Sequence, residues 1–195
     1  RHLAGSASLA REFQQLFLRK LLPSDFFVAK TLEMNQRHTK YENTPYALEP
    51  NCKESPGGLR DLQILLWVAK GAQLGHSWDA LVRQGIITQH EARQLKLNQA
   101  LLSRIRFKLH MAAGRREDRL VFDMQAQVAR ESGLGVDDQG QFNARLGSEQ
   151  LMRQYYWAAK AVTQLNQIVL LNIEEHLKGS HEVILQPINA RFQQR

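Results

Sequence analysis

The chain has 195 residues, long enough for one ordinary domain with part of a second, and its composition is that of a globular protein: 43% hydrophobic and 23% charged. No apolar run reaches the twenty or so residues that a membrane-spanning helix needs, and the first apolar stretch is broken by Arg11, Glu12, Arg19 and Lys20, which excludes a secretory signal there. A formal net charge of +7 favours anionic partners, while the single Cys52 excludes an internal disulfide and fits a reducing cytoplasm.

In chain order, residues 6–22 read as a helix with Leu9, Phe13, Leu16 and Leu21 near helical spacing. Pro23 is expected to stop it, and Ser24 to cap a second helix that runs through Phe27, Ala29 and Met34 to Lys40. Residues 41–58 lose the helical period and carry Pro45, Pro50 and Pro56, which predicts an extended connection. Gly57 and Gly58 then open a helix over 59–69. Leu62, Ile64, Leu65, Leu66, Trp67 and Val68 make it apolar almost all round, as expected of a helix at a domain centre.

A brief helix around Trp78 to Arg83 follows, closed by Gly85. Thr88 and Glu91 have capping-box spacing and begin a long helix with Leu95, Leu102, Ile105, Leu109 and Ala112 on one stripe, ended by Gly114. A shorter helix over 123–132 leads into a Gly- and Asp-rich loop over 133–147. The last helix, 148–176, carries the stripe Leu151, Tyr155, Ala158, Val162, Leu165, Val169 and Ile173. Beyond Gly179, residues 183–188 look extended. These elements predict an all-α fold: a helical bundle with short extended segments at its ends and before the Gly-Gly turn. The helices 88–113 and 148–176 should pack antiparallel around 59–69.

Several kinds of chemistry are missing from the residues. There is no Asp-x-Asp pair to hold two metal ions, and none of the seven His is followed by Asp, as a His-Asp phosphohydrolase would require. His176 and His181 are too far apart across a helix end to resemble a zinc pair. Cys52 lies beside Lys53, which could lower its pKa, but no base accompanies it. No catalytic residue and no metal ligand is assigned.

The segment 49–61 concentrates the remaining chemistry, and it supports two readings. Gly57 and Gly58 before a helix could leave N–H groups open to a phosphate, with Lys53 and Arg60 adding positive charge. Equally, the glycines could make a sharp turn, with Asp61 favouring the helix dipole and pairing with Arg60. Arg93, Lys96, Arg104, Lys108, Arg115 and Arg116 form a basic row, better read as a wet face than as a nucleic-acid site because no aromatics interleave with it. In the run Tyr155-Tyr156-Trp157, Tyr155 joins the core stripe and its neighbours are placed against another helix or domain.

The run Leu48-Glu49-Pro50-Asn51-Cys52-Lys53-Glu54-Ser55-Pro56-Gly57-Gly58-Leu59-Arg60-Asp61-Leu62-Gln63, with Trp67 beyond it, resembles the bifunctional PII uridylyltransferase/uridylyl-removing enzymes. Those enzymes carry a stretch of the form L-E-P-x-x-K-x-x-P-G-G-L-R-D before a helix bearing a Trp. Gln36-Arg37-His38 with Tyr41, Arg104-Ile105-Arg106-Phe107, Leu109-His110, Arg119-Leu120, Phe122-Asp123, Met152 with Tyr155-Tyr156, and Leu165-Asn166 extend the likeness over most of the chain. Cys52 and Glu54 stand where the motif varies, and the segment 135–147 has no counterpart in the pattern.

The resemblance implies an all-helical domain that follows a polymerase-beta-like nucleotidyltransferase core in a longer cytoplasmic enzyme. A His-Asp domain that removes UMP and two ligand-sensing domains would come later. It implies PII and UTP as substrates, glutamine as effector and Mg2+ in the intact enzyme, with neither activity resident in this chain. On that reading residues 1–22 are the tail of the core, 23–178 the helical domain and 179–195 an extended tail or linker. Lys53, Gly57, Gly58, Arg60 and Asp61 become candidates to border the UTP site. The adenylyltransferase of glutamine synthetase shares a G-G-x-R-D turn but usually has an acid where Gln63 stands here. A basic helical nucleic-acid-binding module, suggested by the net charge and the basic row, competes with both enzymes, as does a pure interaction scaffold.

Overall fold

The computed structural model describes residues 3–179, 186–187 and 193–194. Among them are seven helices, α1 (Ala7–Lys20), α2 (Pro23–Lys40), α3 (Leu59–Gly71), α4 (Trp78–Arg83), α5 (Gln89–Ala113), α6 (Phe122–Glu131) and α7 (Ala144–Lys178). One two-residue antiparallel pair, β1 (Gln186–Pro187) with β2 (Gln193–Gln194), is the only sheet among the described residues. The all-α expectation holds. Of the extended segment expected at 183–188, residues 183–185 and 188 lie outside the described residues.

The two long helices run antiparallel around α3. Beside the start of α5, Asn172 Nδ2 donates to the Ile86 carbonyl at 2.8 Å, whereas Leu151 and Gln154 of α7 line one cleft with Leu101, Ile105 and Lys108 of α5. Leu95, Leu102, Ile105 and Leu109 of α5 and Leu151, Tyr155, Ala158, Val162, Val169 and Ile173 of α7 are buried, as their spacing predicts. Leu165 is only half-buried and packs against the edge of this core.

Capping physics sets the ends. Thr88 and Glu91 form the reciprocal box, with Glu91 N–H on Thr88 Oγ1 at 3.2 Å and Thr88 N–H on Glu91 Oε2 at 2.7 Å. Gly114 ends α5 in the left-handed region, at φ 62°. Ser77 caps α4 through the Ala80 N–H at 3.2 Å.

Four expectations are corrected. Pro23 does not separate two helices from outside: it is the first residue of α2, where its missing N–H costs nothing, and Ser24 is inside the helix. The apolar stripe expected over 6–22 does not reach the core: Leu9, Phe13 and Leu16 are exposed, and Leu21, the residue after α1, is half-buried. The last helix starts at Ala144, capped by Asn143 Oδ1 on the Leu146 N–H at 3.0 Å. Gly147 therefore sits inside a helix, despite its poor propensity. A Cβ there would come within 3.1 Å of Ala129 on α6, so close packing of the two helices decides the position. Finally, α3 is not apolar all round: Gln63, Trp67 and Lys70 are exposed and Arg60 half-buried on one narrow stripe.

No helix among the described residues is long and apolar enough to cross a membrane.

Candidate functional site

The segment before α3 is not the extended connection its prolines suggest. Residues 51–58 fold into successive turns braced from four directions. Asn51 Oδ1 accepts the N–H groups of Lys53 and Glu54 at 3.0 and 2.8 Å, while Ser55 Oγ accepts the Asn51 N–H at 2.9 Å. A short bridge then joins this segment to the chain beyond α5: Cys52 N–H donates to the Asp118 carbonyl at 2.7 Å and Leu120 N–H to that of Pro50 at 2.9 Å. Glu49 Oε1 accepts the N–H of Phe122 at 3.0 Å, which places a carboxylate at the positive end of α6.

Asp61 is completely buried and holds the turn from beneath. Its carboxylate accepts from Arg37 Nη2 at 2.5 Å and from the Gly57 N–H at 2.7 Å, and it meets His38 Nε2 at 2.9 Å. Asn166 of α7 reaches its backbone carbonyl at 3.3 Å. The expected Asp61–Arg60 pair does not form, because adjacent residues on a helix point in different directions. Arg60 instead donates to Glu54 at 3.1 and 3.4 Å and to Gln63 Oε1 at 3.1 Å, and its guanidinium lies 5.5 Å from the Trp67 ring centre.

The glycines also resolve differently from a phosphate cradle. Gly57 has φ +76°, and a Cβ on it would fall 2.1 Å from the Ala159 carbonyl oxygen, so the close approach it permits is to the α7 backbone. At the start of α3 the N–H groups are taken: Gly58 donates to Ser55 O at 2.8 Å, Leu59 to Cys52 O at 3.1 Å and Arg60 to Lys53 O at 2.8 Å. Gly57, Gly58 and Asp61 therefore build the turn, and the open N–H groups expected of an anion cradle are absent from it.

Lys53, Glu54 and Arg60 remain on the outer side. Lys53 Nζ lies 3.2 Å and Arg60 Nη2 3.1 Å from Glu54 Oε1, with side-chain exposures of 19% for Lys53, 24% for Arg60 and 25% for Glu54. Partial burial pushes the Glu54 carboxyl up, but hydrogen bonds and charge from Arg60 and Lys53 outweigh it and hold it below the usual range. The trio carries one net positive charge.

Asp118 is a second anchored carboxylate. Burial opposes its charge, yet Arg106 at 2.6 Å and His110 at 3.2 Å keep its pKa low, aided by the charge of Lys53. Cys52 is sealed inside, its thiol pushed up to about 12 by burial and then by Asp118, so the lysine beside it does not activate it.

The basic row of α5 and the turn after it is partly engaged by local partners. Lys96 pairs with Asp79 at 2.6 Å, Lys108 bonds the Glu131 carbonyl, and Arg115 and Arg116 lie 2.9 and 3.8 Å from Glu117 and Asp118. Among the described residues no three His, Cys, Asp or Glu side chains gather as a metal-ligand set.

Sequence reasoning misses Arg37 and His38 as the partners of Asp61. They lie 24 and 23 residues upstream, and no local spacing joins them to the turn.

Residues 25–170 match the family profile described as GlnD PII-uridylyltransferase. Curated relatives named bifunctional uridylyltransferase/uridylyl-removing enzyme are similar over all 195 residues: 52% identical in Cupriavidus metallidurans, 53% in Cupriavidus pinatubonensis and 50% in Ralstonia nicotianae. The chain spans 22% of the length of each of these relatives. No solved structure matches it. With the 48–63 motif folded into one braced turn and the likeness running along the entire chain, this protein belongs to the GlnD PII-uridylyltransferase family.

Proposed function

We propose that this chain is the helical domain of an enzyme that transfers UMP from UTP to the nitrogen regulatory protein PII and removes it again in a separate domain. Such an enzyme would act in the cytoplasm in nitrogen-assimilation control, with glutamine as effector and Mg2+ bound by residues of another domain. Family membership and the names of the relatives support this reading.

Within the intact enzyme, the outer side of the turn borders the UTP triphosphate through Lys53 and Arg60. One observation carries this assignment. Asn51, Ser55, Gly57, Gly58 and Asp61 of the motif are consumed in building the turn, whereas its two cations lie on the outer side. Arg60 is suited to the task because a guanidinium forks onto phosphate oxygens in two parallel hydrogen bonds. Glu54 holds both cations in the meantime, so they reach phosphate by exchanging or sharing that carboxylate.

The test is Arg60→Ala in the full-length enzyme. A charge-assisted contact of roughly 1.5–3 kcal/mol predicts a loss of about ten- to a hundred-fold in kcat/KM for UTP, with an unchanged melting temperature. Unchanged kinetics with a lowered melting temperature would make Arg60 a structural brace of Glu54 and would remove it from the nucleotide site.

A further inference from the structure

A separate cluster on α7 is unused by the turn. Met152, Arg153, Tyr156, Trp157 and Lys160 recur every three or four residues on one helix face and, with Tyr46, line a cleft of about 470 Å³. Tyr46 meets Tyr156 edge-to-face at 5.7 Å, and Tyr156 Oη donates to the Ala47 carbonyl at 3.1 Å, which fixes the floor. Trp157 stays 68% exposed, with the Arg153 guanidinium 5.6 Å from its ring centre. Glu149, at the rim, is held by Arg145 at 2.9 Å. Neither Arg153 nor Lys160 has a carboxylate partner among the described residues.

Single exposed apolar side chains need no explanation, but clustered Tyr, Trp and Arg are the residues that dominate protein interfaces. A Trp this exposed cannot enclose a small molecule, which normally loses most of its surface to its pocket. The floor is already ordered, so a partner would lose little freedom in meeting it. Two unpaired cations on a chain of net charge +7 call for carboxylates opposite them.

We propose that this face docks PII through a segment that sets carboxylates against Arg153 and Lys160 and seats an apolar or aromatic side chain between Tyr46 and Trp157. The proposal rests on the uridylyltransferase reading for the identity of the partner, while the chemistry of the partner comes from the cleft.

The experiment uses the full-length enzyme with Trp157→Ala, Lys160→Glu and the double variant Arg153→Glu/Lys160→Glu. PII binding is titrated without UTP, and KM is measured separately for PII and UTP. The double variant should raise the PII Kd and KM by about ten-fold or more, with the loss shrinking as salt is added. The UTP KM, and kcat at saturating PII, should stay within about two-fold. A PII Kd unchanged in all three variants overturns the proposal, as does a UTP KM that moves in step with that for PII. A lowered melting temperature in both Trp157→Ala and Lys160→Glu also overturns it, because the face would then be covered by another part of the enzyme. Failure of the uridylyltransferase reading looks different: the wild-type enzyme would leave PII unlabelled whatever the variants did.

Discussion

Arg37 on α2 and Asp61 on α3 form a 2.5 Å ion pair beneath the Gly-Gly turn, joining segments 24 residues apart. Asp61 is fully buried and also accepts the Gly57 N–H, so one carboxylate ties a helix, a turn and a neighbouring helix together. Removing it would leave Arg37 Nη2 and the Gly57 N–H without their acceptor in a nearly dry site, although Arg37 Nη1 keeps the Glu54 carbonyl at 2.6 Å. Asp61→Ala should therefore cost about 3–5 kcal/mol in denaturant unfolding. A loss below about 1 kcal/mol would show that the pair contributes little to the fold.

Two glycines with positive φ separate close packing from backbone strain. Gly57→Ala would force a Cβ against the Ala159 carbonyl, whereas at Gly114, also left-handed, nothing lies within 4 Å. Gly114→Ala should cost about 1–2 kcal/mol from backbone conformation alone, and Gly57→Ala clearly more, since α7 must also move. Equal losses in the two variants, read by thermal melts, would contradict the close approach.

Asp118 gives a pH signature. Its carboxyl is held below the usual range in the folded state, so its contribution is fully present above the unfolded pKa of about 4 and is lost as pH falls through the lower folded value. Asp118→Asn should lower the melting temperature at pH 7 and converge with the parent as pH falls from about 4 through the lower folded value. A gap that persists or widens in acid would show that Arg106 and His110 do not stabilise the ionised form.

Legibility follows locality. The Thr88–Glu91 box, the Gly114 stop and the stripes of α5 and α7 depend on spacings of a few residues and are read directly from them. Gly147 defeats local reading because what permits a helical glycine is Ala129, on another element. The turn does so for the same reason: the partners of Asp61 come from α2, and the backbone that Gly57 approaches belongs to α7. Of the five residues expected at a nucleotide site, the contacts assign Gly57, Gly58 and Asp61 to building the turn, leaving Lys53 and Arg60 as candidates.

The chain alone should not label PII. Its described residues hold no metal-ligand cluster, and its sequence has neither Asp-x-Asp nor His-Asp. Loss of a metal pair removes several orders of magnitude of rate. Incubation with PII, labelled UTP and Mg2+ is expected to match a no-enzyme control. Metal-dependent transfer above that control would place catalytic groups within these 195 residues.

Contact between the outer side of the turn and the nucleotide can be read directly by photo-crosslinking. Full-length enzyme would be irradiated with a UTP analogue carrying its photoreactive group on the γ-phosphate, with and without excess UTP, and the modified peptides sequenced. UTP-protected label is expected on the peptides containing Lys53 and Arg60, reduced in Arg60→Ala. Protected label confined to peptides outside residues 49–67, with none on the turn, would contradict it.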